Sequence, residues 1–105
     1  MATTQSFTPL NAITPIDGRY RKRLKNFSLF FSEEALMRYR VGVEISYVLF
    51  LSKNAVIPKL SSKELHALQE IRDTFSSESA KRVKEIEQIT KHDVKAVEYF
   101  IQEEI

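Results

Sequence analysis

Between Ser32 and Ile105 apolar residues recur at steps of three and four in four successive runs, each opened by a residue suited to capping a helix. No other feature of the chain restricts its fold so strongly. Ser32 is a good N-cap, and Glu33 and Glu34 fall in the first turn, where the helix dipole favours carboxylates. The run that follows, to about Ser52, has Leu36, Val41, Ile45, Val48 and Leu49 at helical spacing. Met37, Val43, Phe50 and Leu51 add apolar surface elsewhere, which predicts a helix buried on more than one side. Ser61-Ser62-Lys63-Glu64 reads as a capping box opening a second helix, with Leu65, Leu68, Ile71 and Phe75 turned inward. Ser76 or Ser77 caps a third, with Ala80, Val83, Ile86 and Ile89 as its stripe and an end near Thr90. The fourth starts around Asp93, capped by Asp93 or Thr90, and shows Val94, Val97, Ile101 and Ile105.

Two glycines and three prolines in 105 residues leave little material for a turn-rich β protein, so the expected class is all-α. The length suits one domain, read as an irregular arm over 1–18 and a helical body over 19–105. Pro9, Pro15 and Gly18 interrupt any helix in the arm, while Leu10, Ile13 and Ile16 could pin it to a body. Asn54 to Leu60, with Pro58, is a connector. Gln102-Glu103-Glu104-Ile105 sets carboxylates where the dipole prefers cations and offers no Gly, Asn or Pro stop. That ending predicts either a helix fraying at a terminus or one cut from a longer chain.

A net charge of +2 is too small for a protein devoted to nucleic acid or to membrane surfaces. The longest apolar run, Tyr47 to Leu51, is far short of a membrane span, and Met1 to Leu10 holds neither a basic residue nor an apolar block expected of a secretory signal. With no cysteine there is no disulfide scaffold, Cys-ligated zinc or thiol nucleophile, and two separated histidines do not make a metal site. A soluble, intracellular helical domain without metal is expected.

Two stretches could handle an anion. In Asp17-Gly18-Arg19-Tyr20 a turn would hold a planar cation beside an aromatic hydroxyl, suited to phosphate or carboxylate; the plainer alternative is a turn whose Tyr packs on the body. The surrounding basic run, Arg19 to Lys25, is more simply a solvated surface and lacks the interleaved aromatics of a single-strand binder. In Thr90-Lys91-His92-Asp93-Val94, His92 stands beside a helix start, where backbone N–H groups attract anions; it could donate to a phosphate, act as acid or base, or be an ordinary surface residue. His66, mid-helix on a polar face, reads as solvent-exposed.

Ile13-Thr14-Pro15-Ile16-Asp17-Gly18-Arg19-Tyr20 resembles the opening of the adenylosuccinate lyase family, in the type found in enterobacteria. Phe31-Ser32-Glu33-Glu34 and Arg38-Tyr39-Arg40-Val41 continue the likeness, and Thr90 to Phe100 is its longest stretch. The family is a branch of the fumarase/aspartase superfamily of homotetramers built round long central helices. The resemblance implies a carbon–nitrogen lyase that eliminates fumarate from adenylosuccinate, giving AMP, and from the succinyl-carboxamide nucleotide of purine synthesis. It implies a cytoplasmic, bacterial setting, no cofactor, and sites formed where subunits meet. Carried over by position, Arg19 and Tyr20 match an Arg-Tyr pair that contacts the nucleotide, and Lys91-His92-Asp93 a triplet that does so from this domain. Several relatives have Asn where Lys91 stands, which favours a backbone role there. His92 matches a histidine that binds substrate and assists catalysis. The family's serine-bearing loop, its second catalytic histidine and its long bundle helices have no counterpart here, so the chain resembles an N-terminal domain only, inactive alone. The alternatives are a stand-alone helical interaction module with no catalytic role and a small basic RNA-binding domain resting on Arg19 to Lys25.

Overall fold

The computed structural model describes residues 6–105, and every regular element among them is helical. The chain divides into two compact units after Ser32, so residues 19–32, expected in the helical body, group with the arm.

The first unit is shaped by local hydrogen bonds. The Asp17 carboxylate accepts from the Thr14 backbone N–H at 2.7 Å, the Thr14 hydroxyl at 3.1 Å and the Ile13 N–H at 3.2 Å. The Thr14 amide, helped by that of Ile13, holds the carboxyl below its ordinary value of 3.8. Gly18 is needed for close approach, since a Cβ there would lie 2.7 Å from the Pro9 carbonyl oxygen. Beyond this loop come α1 (Arg21–Leu24), a 3₁₀ turn (Lys25–Phe27) and α2 (Ser28–Phe31). None of the described residues of this unit is buried.

The second unit holds the four expected helices: α3 (Glu33–Lys53), α4 (Ser62–Asp73), α5 (Ser77–Thr90) and α6 (Asp93–Glu104). Ser32 is extended, as a residue ahead of a helix should be. α3 ends in a Schellman motif: Val56 N–H reaches the Leu51 carbonyl, Ala55 N–H that of Ser52, and Ala55 takes the left-handed conformation at φ 56°. The buried Ser52 hydroxyl then accepts from Leu60 N–H at 3.1 Å, anchoring the connector. The Ser61–Glu64 capping box is reciprocal, and Ser76 caps α5 with Ser79 as its partner. α3 packs against all three other helices, and α5 packs most extensively on α6. The core comprises Met37, Val41 and Ile45 of α3, Leu68 of α4, Ala80, Val83 and Ile86 of α5, and Ala96, Val97 and Phe100 of α6. Phe75 meets Phe100 edge-on at 5.8 Å.

Several expected stripes are rotated. α3 is buried along one side only: Leu36, Val43 and Phe50 are exposed and Met37 takes the inward place. Ile89 is 84% exposed, because at about 100° per residue it stands about 120° round the helix from the inward direction of Ala80, Val83 and Ile86. On α6 the inward residues are Ala96, Val97 and Phe100, with Val94 and Ile105 exposed. His66 is exposed as expected. The acidic end of α6 has a partner: Arg82 of α5 grips Glu103 through both Nε and Nη2 while Nη1 donates to Glu85 at 2.9 Å. This fork pulls the Glu103 carboxyl below its ordinary value. Lys84 likewise joins α5 to Glu33 at the start of α3.

Candidate functional site

The turn between α5 and α6 consists of Lys91 and His92. Lys91 closes α5 in the left-handed conformation, φ 57° and ψ 25°, and its N–H bonds the Glu87 carbonyl at 2.8 Å. A left-handed C-terminal residue is the place for Gly or Asn, so what the position imposes is a backbone shape. His92 follows in extended conformation and is itself the N-cap of α6, a role expected of Asp93 or Thr90. Its Nδ1 accepts from Lys95 N–H at 3.2 Å. The Thr90 hydroxyl braces the residue, donating to the His92 carbonyl at 3.1 Å and accepting from its N–H at 3.3 Å.

The cap fixes the ring's chemistry. With Nδ1 accepting, the neutral imidazole carries its proton on Nε2, the far corner of a ring that is 64% exposed. His92 thus presents an N–H donor to solvent at the positive end of a helix. Asp93 is held in place: Oδ1 accepts from Val94 N–H at 2.8 Å, and Oδ2 lies 3.3 Å from Arg40 Nη2 on α3. Arg40 therefore locks the start of α6 to the middle of the long helix. Lys95 stands over the Tyr99 ring at 5.5 Å and pairs with Glu98 at 3.0 Å. Nearby cations and an outward imidazole N–H suit an anionic oxygen, such as a phosphate or carboxylate.

Arg19 and Tyr20 belong to the first unit, Lys91, His92 and Asp93 to the second. The Arg19 guanidinium stacks over the Tyr20 ring at 4.9 Å, and Tyr20 N–H bonds the Pro15 carbonyl at 2.9 Å. Both side chains are exposed. Asp17 serves the loop behind them through Ile13 and Thr14. Arg40 and Thr90 were not singled out as site residues by the sequence. Arg40 lies within the Arg38-Tyr39-Arg40-Val41 motif, but its service to Asp93 depends on how α3 crosses α6. Thr90, three residues before the start of α6, carried the ordinary signal of a hydroxyl that bonds the backbone. Among the described residues no group of three or more His, Cys, Asp or Glu could hold a metal ion, and no helix is long and apolar enough to cross a membrane.

No family model matches the chain. Individual relatives do. The chain is 44% identical over 101 residues to adenylosuccinate lyase of Legionella pneumophila, covering 93% of this chain and 22% of that enzyme. It is 42% identical over 111 residues to the Dictyostelium discoideum enzyme, covering all of this chain and 24% of the relative. For the Escherichia coli enzyme the identity is 40% over 99 residues, 91% of this chain and 22% of the relative. The chain is thus homologous to the N-terminal portion of adenylosuccinate lyases and spans less than a quarter of their length.

Proposed function

We propose that the chain serves as the N-terminal domain of an adenylosuccinate lyase, supplying substrate contacts to a site that other residues complete. The observation that carries this reading is an identity of 40–44% sustained over nine-tenths or more of the chain. The substrate is then a nucleotide bearing a succinyl group, and the product pair is fumarate and AMP. The same site would act on the succinyl-carboxamide nucleotide. In the elimination a base takes the proton from the carbon carrying a carboxylate, the carbon–nitrogen bond breaks, and an acid protonates the departing nitrogen. Neither metal nor organic cofactor has a part in it.

The substrate-binding set is Arg19, Tyr20, Lys91, His92 and Asp93. Arg19 and Tyr20 offer a guanidinium fork and a hydroxyl to a phosphate or carboxylate. His92 donates through Nε2–H to an anionic oxygen, so that charge developing on the substrate is met by a fixed dipole. Its Nδ1 is occupied by Lys95 N–H, which favours this assisting role over that of principal base. Lys91 acts through its backbone, and Asp93, gripped by Arg40, fixes where α6 begins. The serine-bearing loop and second histidine come from the remaining part of a lyase-length chain, in a cytoplasmic homotetramer whose subunits share sites. By itself the chain has no turnover and binds nucleotide weakly, because a half-site's few contacts do not offset the cost of immobilising a ligand.

The test is a graft. The matched segment of the Escherichia coli enzyme is replaced by this chain, and fumarate release from adenylosuccinate is followed for the chimera and for the chain alone. The expected result is an active chimera and an inactive chain. A folded, tetrameric chimera without activity overturns the reading; turnover by the chain alone overturns the half-site.

A further inference from the structure

One nitrogen of His92 has two neighbours that compete for it. Nδ1 accepts from Lys95 N–H at 3.2 Å, and the same atom lies 3.9 Å from Asp93 Oδ1. Nδ1 cannot serve both. Toward the amide it is an acceptor, which leaves the proton of a neutral ring on Nε2. Toward the carboxylate it would have to donate, which leaves Nε2 with a bare lone pair. The first ring offers its surroundings an N–H and the second offers a base, so the neighbour chosen at Nδ1 decides what the exposed corner can do.

Bond strength alone favours the carboxylate. A charge-assisted hydrogen bond is roughly twice as strong as a neutral one, and a shift of about 1 Å would bring Oδ1 to hydrogen-bond distance from Nδ1. Both oxygens of Asp93 are held against that shift. Oδ1 accepts from Val94 N–H at 2.8 Å, and Oδ2 lies 3.3 Å from Arg40 Nη2. The first restraint belongs to the helix start itself, while the second is brought by α3. Lys95 is no substitute for Arg40, since its ammonium pairs with Glu98 at 3.0 Å. An ion pair between partly exposed groups contributes little to stability. A difference of that small size is still enough to divide two tautomers of one ring.

We propose that Arg40 is a positioning residue that selects the tautomer of His92: it holds Asp93 off Nδ1 and so keeps the ring an Nε2–H donor. The state of the ring follows from contacts within this chain; its use on a substrate rests on the lyase reading.

Nitrogen NMR of the imidazole, in the chain at about pH 9 where an ordinary histidine is neutral, shows which nitrogen carries the proton. The expected ring in the unsubstituted chain is Nε2–H. Arg40→Gln shifts the tautomer ratio about tenfold toward Nδ1–H, the factor that doubling a hydrogen bond supplies. Arg40→Lys, which keeps a cation, shifts it less. Asp93→Asn added to Arg40→Gln removes the charged competitor and restores the Nε2–H ring. An unchanged ratio in Arg40→Gln overturns the proposal. So does a shift that survives Asp93→Asn, because a frayed α6 would produce it without any competition. In the chimeric lyase Arg40→Gln lowers kcat severalfold with KM little changed. A shifted ring with normal kcat overturns the role at the site, whereas an inactive unsubstituted chimera overturns the lyase reading and leaves the ring measurement to decide the tautomer.

Discussion

The two units invest their apolar residues in opposite ways. Phe7, Leu10, Ile13, Ile16, Phe27, Leu29, Phe30 and Phe31 all stand exposed in the first, which buries none of its described residues and takes its shape from backbone bonds to Asp17, Thr14 and Pro15. The second buries ten residues from four helices in one cluster and uses hydrogen bonds chiefly for caps and joints. The difference separates shape from stability. Local polar bonds can dictate the conformation of a loop, but each contributes only about 1 kcal/mol net in water. Burial supplies the larger share. Arg19 and Tyr20 therefore sit on a piece whose shape is specified and whose stability is slight, and His92 on one where both are secured.

The sharpest way to break this comparison is a matched pair of truncations. Ile45→Ala, at a fully buried site, should cost about 3 kcal/mol and lower the melting temperature clearly. Ile13→Ala, at a position 94% exposed, should stay within about 0.5 kcal/mol. Equal losses would mean that the first unit has a core after all.

Activity of the chimeric lyase sharpens the contrast next. His92→Gln should lower kcat by on the order of a hundredfold, the scale of losing one donor to developing charge. Arg19→Ala should mainly raise KM, by about tenfold, as expected for one charged hydrogen bond. Arg19→Ala should not move the melting point of the second unit, and His92→Gln should lower it only by the loss of a cap, about 1 kcal/mol. A destabilised His92→Gln with normal kinetics in the folded fraction would return the histidine to a purely capping role.

Relief of backbone strain gives a smaller effect of opposite sign. Ala55 and Lys91 both hold left-handed conformations. Ala55→Gly and Lys91→Asn should each stabilise the second unit by about 0.5–1 kcal/mol in denaturant titrations. A loss at either position would show that the residue's own side chain matters more than its backbone.

Acid should produce the smallest change, confined to the first unit's loop. The Asp17 carboxyl is held below 3.8, so its contribution is complete above that pH and is lost as pH falls through the lowered value. The Thr14 amide resonance should follow that titration, with a midpoint below 3.8. A midpoint at or above 3.8 would remove Asp17 as the loop's organiser.

Much of the second unit was legible because its signals are local. Ser61 and Glu64 satisfy each other within one turn, and Ser76 announces α5 in the same way. What stayed hidden depends on neighbours distant in sequence. Periodicity finds the apolar arcs of α3 but cannot say that Met37 turns inward and Leu36 outward, since that choice belongs to α5 and α6. His92 was visible as a candidate but not as a cap, because Ser, Thr, Asp and Asn are the residues that usually accept at that position. Arg40 was unreadable for a related reason: its partner Asp93 lies beyond two intervening helices.

The two-residue turn at Lys91-His92 also has a consequence in time. Closing so short a loop costs little chain entropy, and the helices on either side of it pack more extensively with each other than any other pair. Such a hairpin is the natural first structure of a chain dominated by local contacts. Folding would then begin at the turn that carries the imidazole, with α3 arriving later to add the Arg40 tether. Refolding slowed by truncation at Val83 or Val97, set against unfolding quickened by truncation at Leu68, would mark that order of events.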